Sequence, residues 1–231
     1  MIDLRPFDSL GSADHGWLKA KHHFSFADYS DPKRTQWGAL RVWNDDTIAP
    51  GSGFPPHKHA DMEIITYVRK GAITHEDNLG NKGRTEAGDV QVMSAGTGIA
   101  HSEYNREPGE TQIFQIWILP SSRGQAPSWG ARPFPKTDRA GRFVTLASGA
   151  ADGDALRIRA DARVLGATLK AGQTAKYDLG VSRHAYLTPS SGVIDLNGVR
   201  VGPRDGAAVR DEGVLRVTAI EDAEVILVDT I

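Results

Sequence analysis

The stretch Gly51-Ser52-Gly53-Phe54-Pro55-Pro56-His57-Lys58-His59-Ala60-Asp61-Met62-Glu63-Ile64-Ile65-Thr66-Tyr67-Val68-Arg69-Lys70-Gly71 holds two patterns side by side. Its second half, from Met62 to Val68, is a run of β-formers that Gly71 ends after Arg69-Lys70. Its first half holds His57-Lys58-His59. In an extended chain residues i and i+2 point to the same face, so both imidazoles project to one side and Lys58 to the other. A second segment, His101-Ser102-Glu103, repeats that spacing. Neighbouring or facing strands would bring the two segments together as three imidazoles and one carboxylate. That donor set suits a borderline divalent metal such as iron, nickel, copper, manganese or zinc, and leaves one or two positions open. Closed structural zinc sites prefer Cys, and the chain has none. A single His-x-His carries little weight, so the flanking pattern has to decide.

Working outward, short apolar segments recur between Gly, Asn, Asp and Pro. Ala39 to Trp43, Ala72 to Glu76, Thr85 to Glu86, Val90 to Met93 and Gln112 to Leu119 all read as strands. Asn78-Leu79-Gly80-Asn81 signals a hairpin between two of them. From Pro120 to Gly141 the alternation stops, and Pro120, Pro127, Pro133 and Pro135 mark a surface linker. Strands resume at Arg142 to Leu146, Leu156 to Ala160, Arg163 to Leu169, Arg183 to Leu187, Gly192 to Leu196, Ala207 to Val209, Val214 to Ala219 and Glu224 to Val228. The layout predicts an all-β protein of two barrel or sandwich modules.

Composition narrows the function. Lys plus Arg number 27 and Asp plus Glu 29, for a formal net charge of -2, so no basic excess points to nucleic acid. The lack of Cys excludes disulfides, iron–sulfur clusters and a thiol nucleophile. Met1-Ile2-Asp3-Leu4-Arg5-Pro6 has no apolar h-region, and no run is long and apolar enough to span a membrane. The expectation is a cytoplasmic protein, a monomer or weak homo-oligomer, with neither a membrane nor a nucleic-acid partner.

With these residues in view, the chain resembles the cupin superfamily. The first cupin motif is matched by Gly51, His57, His59, Glu63 and Gly71, one residue longer than usual before the last Gly. The second is matched by Gly88, His101 and Asn105, with a longer loop that lacks the usual Pro. That loop, from Met93 through Gly96-Thr97-Gly98 to Asn105, resembles the pirin branch, as do His23-Phe24-Ser25-Phe26 and Leu40 to Asp46. Among pirins the chain is most similar to the bacterial quercetin 2,3-dioxygenase-like branch. The resemblance implies an all-β bicupin of two jelly-roll-like barrels: residues 1–120 as a metal-binding cupin, 121–141 as the linker, and 142–231 as a degenerate cupin without metal.

The resemblance also implies roles. In cupins at large Glu63 would be the fourth metal ligand; in pirins Glu103 takes that place. Strand parity favours Glu103, giving His57, His59, His101 and Glu103 as the ligand set and Glu103 as the catalytic base. Iron is the metal expected first, with nickel, copper, manganese, zinc and cobalt as alternatives. The implied reaction is cleavage of a flavonol such as quercetin by O₂ with release of carbon monoxide, so the partners are a small aromatic substrate and O₂. The alternative is a non-enzymatic pirin-type metal protein acting through a protein partner. Of the remaining histidines, His22 and His23 are read as packing or surface hydrogen-bonding groups, His75 as an exposed cross-strand neighbour and His184 as isolated. Gly96 and Gly98 are expected to turn the loop beside the site, and Phe114 and Trp117 are read as core.

Overall fold

The computed structural model describes residues 1–231 and is built almost wholly of strands. In chain order they begin with β1 (Ile2–Arg5), β2 (Gly11–Asp14), β3 (Leu18–His22), β4 (Leu40–Ile48), β5 (Gly53–His59), β6 (Glu63–Lys70), β7 (Ala72–Asp77) and β8 (Lys82–Glu86). Then come β9 (Val90–Ser94), β10 (Ile99–Tyr104), β11 (Thr111–Ile118), β12 (Ser128–Arg132), β13 (Val144–Ser148), β14 (Leu156–Arg157) and β15 (Ala162–Leu169). The chain closes with β16 (Thr174–Asp178), β17 (His184–Ser191), β18 (Ile194–Leu196), β19 (Val199–Val201), β20 (Gly206–Arg210), β21 (Val214–Ala219) and β22 (Ala223–Thr230). One 3-10 turn, Phe7–Ser9, is the sole helical piece.

Each half pairs a large sheet with a small one. In the N-terminal half the orders are β12-β9-β6-β11-β4-β3-β2 and β5-β10-β7-β8. In the C-terminal half they are β1-β20-β17-β22-β15-β13-β14 and β16-β21-β18-β19. Two β-barrel modules are therefore present, as the strand layout and the cupin resemblance implied.

Strand parity sorts the side chains of the large sheets onto two faces. On β11, Phe114, Ile116 and Ile118 join the largest apolar cluster, while Gln115 and Trp117 face the N-terminal barrel's interior. That cluster of 21 buried residues also takes Trp43 and Ile65 from the same sheet, and Val164, Ile226 and Val228 from the C-terminal one. The main core thus lies between the barrels. The C-terminal barrel's interior is a second cluster of 18 residues, among them Leu165, Leu187, Val217 and Leu227. The N-terminal barrel has only clusters of 6 and 4 apolar residues, because much of its interior is polar.

Two boundaries differ from the expectation. The stretch 121–141 is not a free linker: β12 within it pairs with β9, Trp129 opposite Met93, and Phe134 and Arg139 are buried. Its Pro residues flank that short strand, which fills an edge of the sheet where missing donors are tolerated. The N-terminal module also does not begin at residue 1, since β1 pairs with β20, Ile2 opposite Val209, and so extends the C-terminal sheet.

Candidate metal centre

The small N-terminal sheet carries the site. Its edge strand β5 contains Pro55 and Pro56, which an edge accepts because no neighbour needs their missing N–H groups. β10 lies between β5 and β7. Its register sets His101 opposite both His57 and Asp77, and Glu103 opposite His75. Between His101 and Glu103 the pairing with β5 shifts by a bulge, yet burial still alternates along β10, with Ile99, His101 and Glu103 buried. Gly96 and Gly98 both have positive φ, +49° and +139°, and turn the chain into β10. A Cβ on Gly96 would meet the Gln125 carbonyl oxygen at 2.1 Å, so that turn requires glycine.

His57, His59 and His101 come together. Their ring centroids are 4.8 Å apart for His57 and His59, 4.4 Å for His57 and His101, and 5.1 Å for His59 and His101. One donor nitrogen from each lies within 4.8 Å of the others, an arrangement that can hold a metal ion. Glu103 forms such a group with His101 and His75 instead. His101 is therefore shared by two donor sets, and His75 belongs to the site.

The donors fit a metal. His57 Nδ1–H donates to the Pro55 carbonyl at 2.8 Å, which leaves Nε2 bare. His101 Nε2 is buried and has no hydrogen-bond partner. An orphaned imidazole nitrogen amid two other imidazoles is a vacancy in hydrogen bonding that a cation satisfies. Burial, with the neighbouring imidazoles adding to it, lowers the pKa of His101 to about 2. Burial and His57 lower that of His59 to about 4. Both are thus neutral near pH 7, as metal ligation requires.

Glu103 is 2% exposed and enclosed by neutral donors. Gln91 Nε2 donates to Oε1 at 2.6 Å, Thr66 Oγ1 to Oε1 at 3.2 Å and Gln115 Nε2 to Oε2 at 2.8 Å. Burial raises its pKa to about 7 against these three bonds, which pull the other way. The three donors form one row across the large sheet, with Thr66 paired to Gln115 on one side and Gln91 on the other. None was picked out from the sequence. The available signal was a polar residue at an inward position of an apolar strand: Thr66 in I-I-T-Y-V, Gln91 in V-Q-V and Gln115 in F-Q-I.

Glu63 lies elsewhere. Its Oε2 accepts from Ser94 Oγ at 2.6 Å and from the Arg159 backbone N–H at 3.1 Å, and so ties the two barrels together. His75 is not exposed but 1% accessible. Its Nε2 lies 2.9 Å from Asp77 Oδ2, its Nδ1 lies 3.3 Å from His101 Nδ1, and its ring stacks on Trp129 at 4.8 Å. Phe114 is core as expected, whereas Trp117 meets His59 edge-on at 5.0 Å and lines the cavity. Lys58 is exposed. His23 is fully buried against the Tyr186 hydroxyl at 2.8 Å, and His22 is held by Asn44 at 2.9 Å on the cavity wall.

The cavity over the cluster has a volume of about 550 Å³. Leu18, Phe26, Phe54, Ile64 and Trp117 supply apolar walls, and Asn44, Asp46 and Gln115 polar points. Asp46 is buried, and burial together with the Asp45 and Glu103 carboxylates raises its pKa well above the usual value.

The chain as a whole has relatives. Residues 4–118 match the family model described as Pirin, and residues 145–230 the one described as Quercetinase C-terminal cupin domain. The chain is 71% identical to a pirin-like protein of Caulobacter vibrioides, over 99% of both chains. The chain belongs to the pirin family. It is also 40% identical to a protein of Escherichia coli K12 named quercetin 2,3-dioxygenase, over 99% of this chain and 98% of that one. The crystal structure of the E. coli pirin YhhW in complex with nickel(II) superposes with a TM-score of 0.93 at 39% identity, covering 100% and 99% of the two chains. No helix of the fold is long and apolar enough to cross a membrane.

Proposed function

We propose that this pirin is a metal-dependent dioxygenase acting on a flavonol such as quercetin, with His57, His59, His101 and Glu103 holding one divalent transition metal, iron first among them. The observation that carries the reading is the buried, unpartnered His101 Nε2 between His57 and His59 at the floor of an apolar-walled cavity. When bound, the metal supplies a Lewis acid that lowers the pKa of a coordinated enolic hydroxyl.

The protein's own groups do the rest. The cavity volume falls within the usual range for small-molecule sites, and Trp117, Phe26 and Phe54 offer flat apolar surface to an aromatic ligand. Glu103, buried and held by three neutral donors, is placed to take a substrate proton and return it. Gln91, Thr66 and Gln115 fix the direction of its oxygens, so the acceptor is in place before substrate enters. The apolar walls exclude water, which strengthens the contacts a bound substrate makes with the polar groups of the site.

Carbon monoxide release from quercetin in air by the metal-loaded protein tests the reading. Release that stops under nitrogen is the expected result. No carbon monoxide from any flavonol overturns it.

A further inference from the structure

Deepening that reading, and resting on it for the metal, we infer that Asp77, His75 and His101 form a hydrogen-bond relay that fixes His101 in the tautomer whose bare Nε2 faces the metal. His75 and Asp77 are positioning residues in this scheme.

The order of donors follows from Asp77. Its Oδ1 accepts from the backbone N–H groups of Leu79 at 2.9 Å and Asn81 at 3.0 Å. Its Oδ2 accepts from Asn81 Nδ2 at 2.9 Å. The side chain is 0% exposed, and these bonds hold it as a carboxylate aimed at His75. A carboxylate only accepts, so His75 Nε2 carries the proton of the 2.9 Å contact. A neutral His75 then has a lone pair on Nδ1. The 3.3 Å contact between the two Nδ1 atoms is therefore a bond donated by His101 Nδ1–H. His101 Nε2 is left without a proton, and it is the nitrogen that is buried and unpartnered.

The relay is also clamped from outside the small sheet. Trp129 of β12 lies flat on the His75 ring, with an interplanar angle of 10°. Gly83, which pairs with His75 across β7 and β8, leaves room for it: a Cβ there would sit 2.2 Å from the Trp129 ring. The segment between the barrels thus helps to set the orientation of a metal-facing imidazole.

Asp77→Asn tests the order. The two backbone donors keep the Asn oxygen where Oδ1 was, which turns the amide NH₂ toward His75 Nε2. Each proton along the relay then moves to the other nitrogen, and His101 Nε2–H faces the metal position. The measurement is long-range ¹H–¹⁵N NMR of the histidines in metal-free protein, with calorimetric titration of nickel(II) on the same samples. Expected are an Nδ1–H His101 in the parent chain, an Nε2–H form in Asp77→Asn, and nickel binding weaker by about 10–100-fold in the variant. His75→Phe keeps the stack on Trp129 but removes the acceptor. It is expected to mix the His101 tautomers and weaken nickel similarly, and it decides the matter if Asp77→Asn does not fold. An Nε2–H His101 in the parent chain overturns the relay. So does nickel affinity unchanged within about threefold in both variants, or weaker binding with the tautomer unchanged. A parent chain that shows Nδ1–H His101 but binds no nickel leaves the relay standing and overturns the metal reading instead.

Discussion

Glu103 is a carboxylate held by amides and a hydroxyl rather than by cations, which keeps its proton affinity high without leaving its oxygens unpaired. Glu103→Gln keeps size and shape but cannot take a proton. Turnover of quercetin is expected to fall by at least about 100-fold, the ordinary contribution of a positioned base, and metal analysis of the same sample reports whether the ion is also lost. Full activity at full occupancy would remove Glu103 from the chemistry. Gln115→Leu leaves Oε2 without its 2.8 Å donor. A drop in kcat of about 10–100-fold is expected, measured by oxygen uptake, with KM for the flavonol changed less. At this scale the proposed ligands could be picked out from the chain because i, i+2 spacing on a strand is a geometric statement about faces. Their supporting residues could not. His75 and Asp77 have the same spacing, but beside Glu76 they look like a solvated edge, and only pairing with β10 shows that this face is interior.

Single strands illustrate what alternation can and cannot convey. β6, β9 and β11 were visible as apolar runs, and β20 and β22 likewise, because both of their faces are buried, whereas β21 shows the alternation of a half-exposed strand. β12 was not: Ser128-Trp129-Gly130-Ala131-Arg132 is short, half-exposed and set among prolines, and its partner β9 lies more than thirty residues back (128 against 94). β1 was missed for the same reason, since pairing over long separations leaves no local trace. The fit of β12 onto β8 gives a prediction at this scale. Gly83→Val drives a branched side chain into the Trp129 ring. Urea unfolding is expected to show a loss of about 1–3 kcal/mol, as for other overpacked sites. Gly172→Val, where a Cβ meets nothing, acts only through its φ of +84° and should leave nickel affinity untouched.

Across the whole molecule the two barrels share their main core, so they are expected to unfold together. Phe114→Ala, in the 21-residue cluster, should cost about 3–5 kcal/mol and leave one calorimetric transition rather than two. Glu224 of β22 reinforces the joint: it accepts from Tyr67, from Arg139 Nη2 at 2.8 Å and from Lys136 Nζ at 3.0 Å. Burial pushes its carboxyl up, but the Tyr67 bond and the two cations outweigh that and hold its pKa below the usual value. A depressed carboxylate stabilises the fold fully above the unfolded pKa of about 4.3, and this is lost as pH falls through the lower folded value. The stability gap between the parent chain and Glu224→Gln is therefore expected to be constant near neutrality and to close in acid. A gap independent of pH would rule out ionisation of Glu224 as its source. The second barrel is filled by an apolar cluster, and His184 is its lone histidine. The joint between halves also has a history in time. The N-terminal ammonium bonds the Arg210 carbonyl, 209 residues further along, and β1 waits for β20. At ribosomal speeds of about 5–20 residues per second, that wait is on the order of 10–40 seconds. β1, made well before its partner, is thus among the last strands to find its place, and bulk added beside it would hinder closure of the second barrel rather than the one that follows it in sequence.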